Sequence, residues 1–419
     1  MFRSRSFHSP ARLACALAFG VLCSAASLAA DLSLREALSR TIEHNPDLKA
    51  YDFVLRAQDG RIQQSMLRPN PTLNTSIDNA LGTGATSGLK AAEITLGLSQ
   101  WIELREVRGQ RVAVAQGGRQ VLEAEGQIRR LDLLAETVRR FVTLASRQES
   151  HQLTHLGVDL AQKTLETVEA RVNSARSPVA ERDRAAVALQ RARIADQHAE
   201  HELAATRLEL AAMWGSEDPE FERVTADLYA LPPVADLPTL RSTLESSPDV
   251  TRYFSESRLR DSELRLALAS RKPGFEVGAG LKRLQESRDT AVMLSFSIPL
   301  PFSNRNEGAI AESRARRDAV EADRTAAVLR ARTRLGTLYR ELQDRGQEVP
   351  ALRDVALPRM EEALRNTEYA YERGRYGYLE LIDAQRELLS VRRDLIDAAT
   401  EYHLTLIELE RLTGTAGSR

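Results

Sequence analysis

Four short segments of the chain alternate between apolar and polar residues with the period of two that is typical of β-strands. Each segment has one apolar side and one side made mostly of small or polar residues. A length of about ten residues is what a tilted strand needs to cross a bilayer. A soluble sheet with one solvated face would show the same alternation. The predicted strands cover about 71–82, 91–103, 273–284 and 289–301.

Four strands from one chain are too few to close a barrel, because small barrels need about eight. Lipid does not tolerate an unpaired sheet edge. A membrane location for these strands therefore requires several copies of the chain to share one sheet, and three copies would supply twelve strands.

Proline-poor segments predict very long helices. At about 1.5 Å per residue, a helix of roughly seventy residues reaches about 100 Å, far beyond a compact domain. The last helix carries an apolar seam every seven residues with a second apolar stripe beside it. Two stripes suit a closed ring of helices, although a simple coiled-coil hairpin would show the same period. The predicted helices cover about 104–173, 178–213, 304–372 and 378–412. The seam is Leu381, Leu388, Leu395, Tyr402 and Leu409, and the second stripe is Ile382, Leu389 and Ile396.

The two halves of the chain repeat one another. Asn45-Pro46-Asp47 recurs 202 residues later as Ser247-Pro248-Asp249, and Gly215 recurs 199 residues later as Gly414. A period near 200 residues is too long for a solenoid unit, so the pattern indicates a duplicated element of domain size. We expect a first repeat over 30–220, a linker over 221–236 and a second repeat over 237–415.

The N-terminal segment 1–29 has the pattern of a secretory signal peptide, with cleavage expected after Ala29; a retained membrane anchor is the alternative. Both cysteines, Cys15 and Cys23, lie in this segment, so the mature chain offers no thiol for disulfides or metal ligation. Ala, Glu, Lys, Leu and Arg fill about half of the positions, which is the composition of long helices. The 58 basic and 59 acidic side chains are interleaved, which disfavours a nucleic-acid partner.

Three segments resemble the TolC-type outer-membrane efflux channels. Residues 371–385 (YERGRYGYLELIDAQ) are similar to the second helical-hairpin tip of that family. Residues 294–302 are similar to its last strand and the return into the helical barrel, and 98–104 to the same junction in the first repeat. The junction at 98–104 resembles most the branch of the family that serves cobalt–zinc–cadmium and copper–silver pumps, although Trp101 stands where that branch usually has proline.

The resemblance implies a mainly α-helical fold with a membrane β-barrel. In that fold a homotrimer forms a twelve-stranded barrel in outer-membrane lipid and a twelve-helix tunnel in the periplasm. The implied function is the exit duct of a tripartite efflux system for heavy-metal cations. Its partners would be a periplasmic adaptor (membrane fusion) protein and an inner-membrane resistance-nodulation-division pump. The alternatives are a periplasmic coiled-coil structural or adaptor protein, or a duct of the same fold for drugs or secreted protein.

The resemblance also assigns roles near the hairpin tips. Glu380 and Asp383, three residues apart on one helix, match positions that ring the pore aperture, where six acids from three copies would favour cations. An acidic surface near a helix N-terminus is the simpler explanation. Glu181, Tyr371 and Arg375 would form the closed-state tether between neighbouring hairpins.

The turns between the long helices carry residues that break helices. In the family these tips contact the adaptor, whereas an ordinary connecting turn would use the same residues. The predicted adaptor-contact residues are Ser177, Pro178, Gly374 and Gly377.

Two histidine pairs are weak candidates for a metal site, because their spacing puts each pair on one helix face. Nothing in the chain resembles a nucleophile–base pair, a phosphate-binding loop or a HExxH motif, so we expect no enzyme activity and no cofactor. The histidines are His151, His155, His198 and His201.

Overall fold

The computed structural model describes residues 31–415, and the predicted signal peptide at 1–29 lies outside the described residues. The architecture is mainly helical, with one small sheet. The helices are α1 (Leu34–His44), α2 (Pro46–Met66), α3 (Arg105–Asn173), α4 (Val179–Ala211), α5 (Leu237–Glu245), α6 (Pro248–Ala269), α7 (Glu307–Pro350), α8 (Leu357–Glu372) and α9 (Tyr378–Thr413). The strands are β1 (Thr72–Asp78), β2 (Glu93–Ile102), β3 (Phe275–Leu284) and β4 (Thr290–Ser297).

The strands form one antiparallel sheet in the order β1-β2-β3-β4. β2 pairs with β3 along its whole length, from Glu93 opposite Leu284 to Ile102 opposite Phe275. β1 and β4 each have one neighbouring strand among the described residues, so each leaves one edge of backbone N–H and C=O groups without a sheet partner.

The two faces of the sheet differ in polarity. The strand register sets apolar side chains next to one another on one face, with Leu73 opposite Leu98 and Leu281 opposite Val292. Leu294, on the same face, has 80% of its surface exposed. Monomeric soluble proteins rarely expose a continuous apolar layer of this kind. The layer consists of Leu73, Ile77, Ile94, Leu96, Leu98, Val277, Leu281, Val292, Leu294 and Phe296.

Two helical hairpins form the elongated part of the molecule. α3 turns back through 174–178 into α4, and α8 turns back through 373–377 into α9. α3 also packs along α9, which joins the two hairpins side by side. Within residues 31–415, no helix combines the length and the apolar character needed to cross a membrane.

The first copy of the repeated Pro-Asp motif forms a joint between two helices. Asn45 caps α2, because its Oδ1 accepts hydrogen bonds from the backbone N–H groups of Asp47 (2.9 Å) and Leu48 (3.1 Å). Its Nδ2 donates to the carbonyl of Met213 (2.8 Å), just beyond the end of α4. Gly215 ends this chain segment with a φ of +75°, a conformation that favours glycine. The motif therefore fixes the start of α2 against the end of α4.

The second copy forms the equivalent joint between α6 and α9. Gly414 has a φ of +80°, and a Cβ there would lie 2.9 Å from the ring of Pro248. Arg411 adds an ion pair with Asp249 (2.5 Å) and another with Asp132 on α3. Three helices are therefore tied together at this joint.

The segment predicted as a linker, 221–236, is packed against the helices. Gln148 on α3 exchanges two hydrogen bonds with the backbone of Val224, at 2.8 and 3.2 Å. Tyr402 on α9 donates from its hydroxyl to the carbonyl of Pro232 (2.6 Å). Apolar side chains of this segment belong to the buried clusters of both hairpins. The connection between the repeats is thus a structural strap.

The helix predicted over 304–372 is interrupted. α7 ends at Pro350, and Ala351–Ala356 is π-helical before α8 begins. Pro350 has no N–H group and cannot supply the regular helical hydrogen bond at its position. The interruption packs against the strap, where Arg353 donates from Nη1 to the carbonyl of Tyr229 (3.2 Å).

Candidate functional site

The two hairpin tips lie side by side and have matching turns. Ala175 in the first tip has a φ of +55°, and Gly374, its counterpart 199 residues later, has a φ of +74°. Both turns therefore use the left-handed conformation that follows many helix C-termini. The first tip achieves it without glycine, which makes Ala175 a strained position.

Arg171, in the last turn of α3, joins the two tips. Its Nη1 donates to the carbonyl of Tyr371 (2.6 Å), and its Nε donates to the Ser177 hydroxyl (3.1 Å). Its guanidinium also lies 4.6 Å from the centre of the Tyr371 ring, within range of a cation–π interaction. Sequence reasoning missed this residue. The available signal was a break in the repeat, because the position 199 residues later is Ala370.

Tyr371 and Glu181, two of the predicted tether residues, lie near one another. Tyr371 is 2% exposed, and neither its hydroxyl nor Glu181 Oε2 has a hydrogen-bond partner among residues 31–415. Burial raises the pKa of the Tyr371 phenol, and the negative charge of Glu181 raises it further. Arg171 and the Ser177 side chain act in the opposite direction on that pKa, so the phenol lies among polar groups of the first tip.

Arg375, the third predicted tether residue, is not part of this group. Its side chain is exposed and forms no ion pair within the part of the chain that the structure describes. Arg373, two residues earlier, stacks on Tyr369 of its own hairpin, with 4.3 Å between guanidinium and ring centre. The arginine that reaches across the tips is the one on α3.

The two predicted aperture acids have different surroundings. Glu380 accepts a hydrogen bond from the backbone N–H of Gly377 (3.0 Å), so it caps the first turn of α9. Asp383 is exposed and forms no ion pair among residues 31–415. It lines a groove between α4 and α9 that contains basic as well as acidic side chains. The other charged residues of that groove are Asp183, Arg184, Arg191 and Arg386.

The predicted histidine pairs do not come together. His151 and His155 both face Asp196 on α4, with N–O distances of 3.8 and 3.7 Å. His198 and His201 are exposed on α4 and form no ion pair among residues 31–415. Across residues 31–415, no three His, Cys, Asp or Glu side chains are grouped so that they could hold a metal ion.

The family model described as "Outer membrane efflux protein" matches residues 37–216 and 239–415 of this chain, which is most of both repeats. The chain belongs to the outer membrane efflux protein family. The TolC-type family predicted from the sequence is therefore confirmed. As a member of this family the protein is a transport duct and not an enzyme, and it is located in the outer membrane with its helical part in the periplasm.

Two curated proteins and several solved channels are similar to this member of the efflux family. The cobalt-zinc-cadmium resistance protein CzcC of Cupriavidus metallidurans is 26% identical over 394 residues, covering 92% of this chain and 91% of CzcC. The nickel-cobalt-cadmium resistance protein NccC of Alcaligenes xylosoxydans xylosoxydans is 22% identical over 297 residues, or 69% of this chain and 67% of NccC.

Among solved structures, CusC has a TM-score of 0.75 at 16% identity and covers 92% of each chain. The outer membrane protein VceC of Vibrio cholerae has a TM-score of 0.73 at 18% identity, covering 91% of this chain and 96% of VceC. At these identities the likeness establishes the fold, which is the predicted mainly helical channel fold.

Proposed function

We propose that three copies of this chain form the exit duct of a tripartite efflux system, with a twelve-stranded barrel and a twelve-helix tunnel. The observation that carries the proposal is the exposed apolar layer across all four strands, combined with the open edges of β1 and β4. Lipid can cover the layer only if the edges are paired, and a neighbouring copy offers the matching strand. A periplasmic coiled-coil or adaptor protein would have no use for such a layer.

Heavy-metal cations are the proposed cargo. Support comes from the names of CzcC and NccC, which are resistance proteins for cobalt, zinc, cadmium and nickel. The duct itself would perform no chemistry and hold no cofactor. An inner-membrane pump would supply the energy, and a periplasmic adaptor would dock at the tips. The proposed adaptor contacts are Ser177, Pro178, Gly374 and Gly377.

The tips are the proposed gate. Tyr371 and Glu181 each bury an oxygen that lacks a hydrogen-bond partner in the described chain, and Arg375 is exposed in the turn that follows Tyr371. In a trimer, Arg375 of one copy would pair with an acid of the next copy and hold the aperture shut. Glu380 and Asp383 would line that aperture, with the arginines of the α4–α9 groove offsetting part of their negative charge.

The test of the duct is electrical. Purified protein extracted in detergent should run as a trimer and form channels in planar bilayers. Tyr371→Phe combined with Arg375→Ala should raise single-channel conductance, because a charge-assisted hydrogen bond contributes about 1.5–3 kcal/mol to the closed state. A water-soluble monomer that leaves bilayers silent would refute the duct. Unchanged conductance in the double variant would refute only the tether.

The test of the cargo is genetic. A strain lacking this gene should lose tolerance to cobalt, zinc or cadmium and keep its tolerance to detergents and dyes. Loss of drug tolerance alone would overturn the metal assignment and leave the duct in place.

A further inference from the structure

An arginine-lined cleft lies where the helical part of the chain meets the sheet. It is bounded by the end of α2, the connection into β1 and the start of α3, and has a volume of about 460 Å³. Its charged lining residues are Arg61, Arg68 and Arg111, and none of its lining residues is acidic. Positive charge is therefore concentrated at the boundary between the helices and the sheet. The other lining residues are Gln64, Ser65, Leu67 and Pro69.

Arg111 forms the rigid floor of the cleft. Its guanidinium makes two hydrogen bonds to the Glu103 carboxylate, at 2.7 and 2.9 Å, and donates to the carbonyls of Ser65 (3.2 Å) and Leu67 (3.3 Å). Glu103 neutralises this arginine, and the carbonyl contacts fix the path of the chain after α2. Arg111 therefore shapes the site and supplies no free charge.

Arg61 and Arg68 supply the free charge. The side chain of Arg61 donates only to the uncharged Gln58 side chain, at 3.3 Å. Arg68 forms no side-chain hydrogen bond or ion pair in the described part of the chain, and both arginines are exposed. Two guanidinium groups without an acidic partner, facing one cleft, suit a phosphate group, which each can bind with two parallel N–H donors.

The apolar surroundings of the cleft indicate a phosphate group that belongs to a lipid. Leu67 in the lining is 57% exposed, and Leu73 begins the apolar layer of the sheet six residues later. Gln100 of β2 donates to the carbonyl of Pro69 (2.7 Å), which attaches the cleft wall to the strands. Cationic and apolar surfaces thus adjoin at the helix-facing end of the sheet, which would lie at the periplasmic leaflet in the proposed barrel.

We propose that this cleft binds the phosphate of a phospholipid in the periplasmic leaflet of the outer membrane, with the acyl chains lying along Leu67 and Leu73. Basic pockets at the membrane boundary recognise anionic headgroups in this way. The inference rests on the proposed lipid-covered barrel and not on the cargo or the gate. It also assigns one site per chain, because Glu263 and Ser270 occupy the positions 202 residues after Arg61 and Arg68.

The second repeat provides a matched control. Arg271 and Lys272 are exposed in the connection from α6 into β3, at the same level as the cleft. Arg271→Gln with Lys272→Gln removes the same charge as Arg61→Gln with Arg68→Gln, but leaves the cleft intact. Arg111 is left unchanged in both variants because it holds the fold of the connection.

The experiment is native mass spectrometry of delipidated, full-length protein in detergent, titrated with phosphatidylglycerol. Wild type and the control variant should each bind one added lipid per chain. The Arg61→Gln, Arg68→Gln variant should bind it at least about tenfold more weakly, because charge-assisted hydrogen bonds to the phosphate are lost. Arg61→Lys with Arg68→Lys should be intermediate, since lysine keeps the charge without the fork.

Three results would overturn the proposal. Equal weakening in the control variant would mean that lipid binds to charge in general. Complete displacement of the lipid by millimolar inorganic phosphate would identify a free-phosphate site. Unchanged lipid binding with a less stable trimer in the Arg61→Gln, Arg68→Gln variant would mean that a neighbouring copy covers the cleft.

Discussion

Arg171 should control how tightly the two hairpin tips are held together. It is the residue whose side chain reaches from α3 to the backbone and ring of Tyr371 on the second hairpin. Arg171→Ala removes both contacts with Tyr371 and also the hydrogen bond to the Ser177 hydroxyl in the first turn. Arg171→Lys keeps a positive charge near the ring but loses the simultaneous contacts with Tyr371 and Ser177.

The size of the effect follows from the contacts. A hydrogen bond from a charged donor contributes about 1.5–3 kcal/mol, and a partly exposed cation–π interaction contributes about 0.5–1 kcal/mol. Arg171 is half-buried, so water replaces part of what is lost, and we expect a net cost of about 2 kcal/mol. The population with separated tips should then rise roughly 30-fold.

Hydrogen–deuterium exchange of the protein in detergent measures this population directly. The amides of the first turns of α9 should exchange roughly 30-fold faster in Arg171→Ala, because tip separation opens them to solvent. Arg373→Ala is the control, since it removes a guanidinium–ring contact of the same tip that stays within one hairpin. Equal exchange in wild type and Arg171→Ala, or the same acceleration in both variants, would refute a cross-tip role.

Other positions give outcomes of known direction. Ala175→Gly should stabilise the fold and Gly374→Ala should destabilise it, each by about 1 kcal/mol, because both residues have positive φ. The melting temperature should rise in the first variant and fall in the second; shifts of the same sign would contradict this. Gly280→Ala should abolish assembly into trimers, since its Cβ would lie 2.7 Å from a carbonyl of the adjacent strand, whereas Gly97→Ala, with its nearest atom at 3.4 Å, should assemble normally. The raised pKa of Tyr371 contributes stability that is fully present below pH 10 and is lost as the pH rises through the higher folded-state value. In alkaline unfolding titrations, Tyr371→Phe should therefore lose less stability than wild type above pH 10.

Local sequence patterns predict those parts of the fold that depend on residues near one another in the chain. The alternation around Leu96 and Leu294 indicates strands because one face of each must be apolar. The glycines at 215 and 414 indicate matching ends of the repeats because only glycine adopts their backbone conformation without strain. The family followed from motifs at the tips and strand ends, which are the segments with distinctive composition.

Contacts between distant segments could not be predicted in this way, because they produce no local sequence pattern. Arg171 lies in a long helix of ordinary composition, and its partner Tyr371 is 200 residues away. The strap at 221–236 contains two adjacent prolines, which favour a linker, yet side chains of α3 and α9 bind its backbone. The predicted helix over 304–372 runs through Pro350, although proline lacks the N–H group of a regular helix. The structure shows a π-helical interruption after it, in contact with that same strap.

The duplication makes differences between the repeats informative, because two copies of one element start from the same side chains and the same packing. The position equivalent to Arg171 in the second repeat is Ala370, and the position equivalent to Arg61 is Glu263. In both pairs the first repeat carries the cation: Arg171 contacts the second hairpin, and Arg61 belongs to the proposed lipid site. A structural requirement of the repeat itself, such as the turn glycine at 215, is present in both copies. An exchange that makes the repeats alike, Ala370→Arg or Glu263→Arg, therefore tests whether each cation must occupy one particular position. If the contact is specific, neither exchange rescues the loss of Arg171 or Arg61, whereas a purely electrostatic role would be restored by the charge alone.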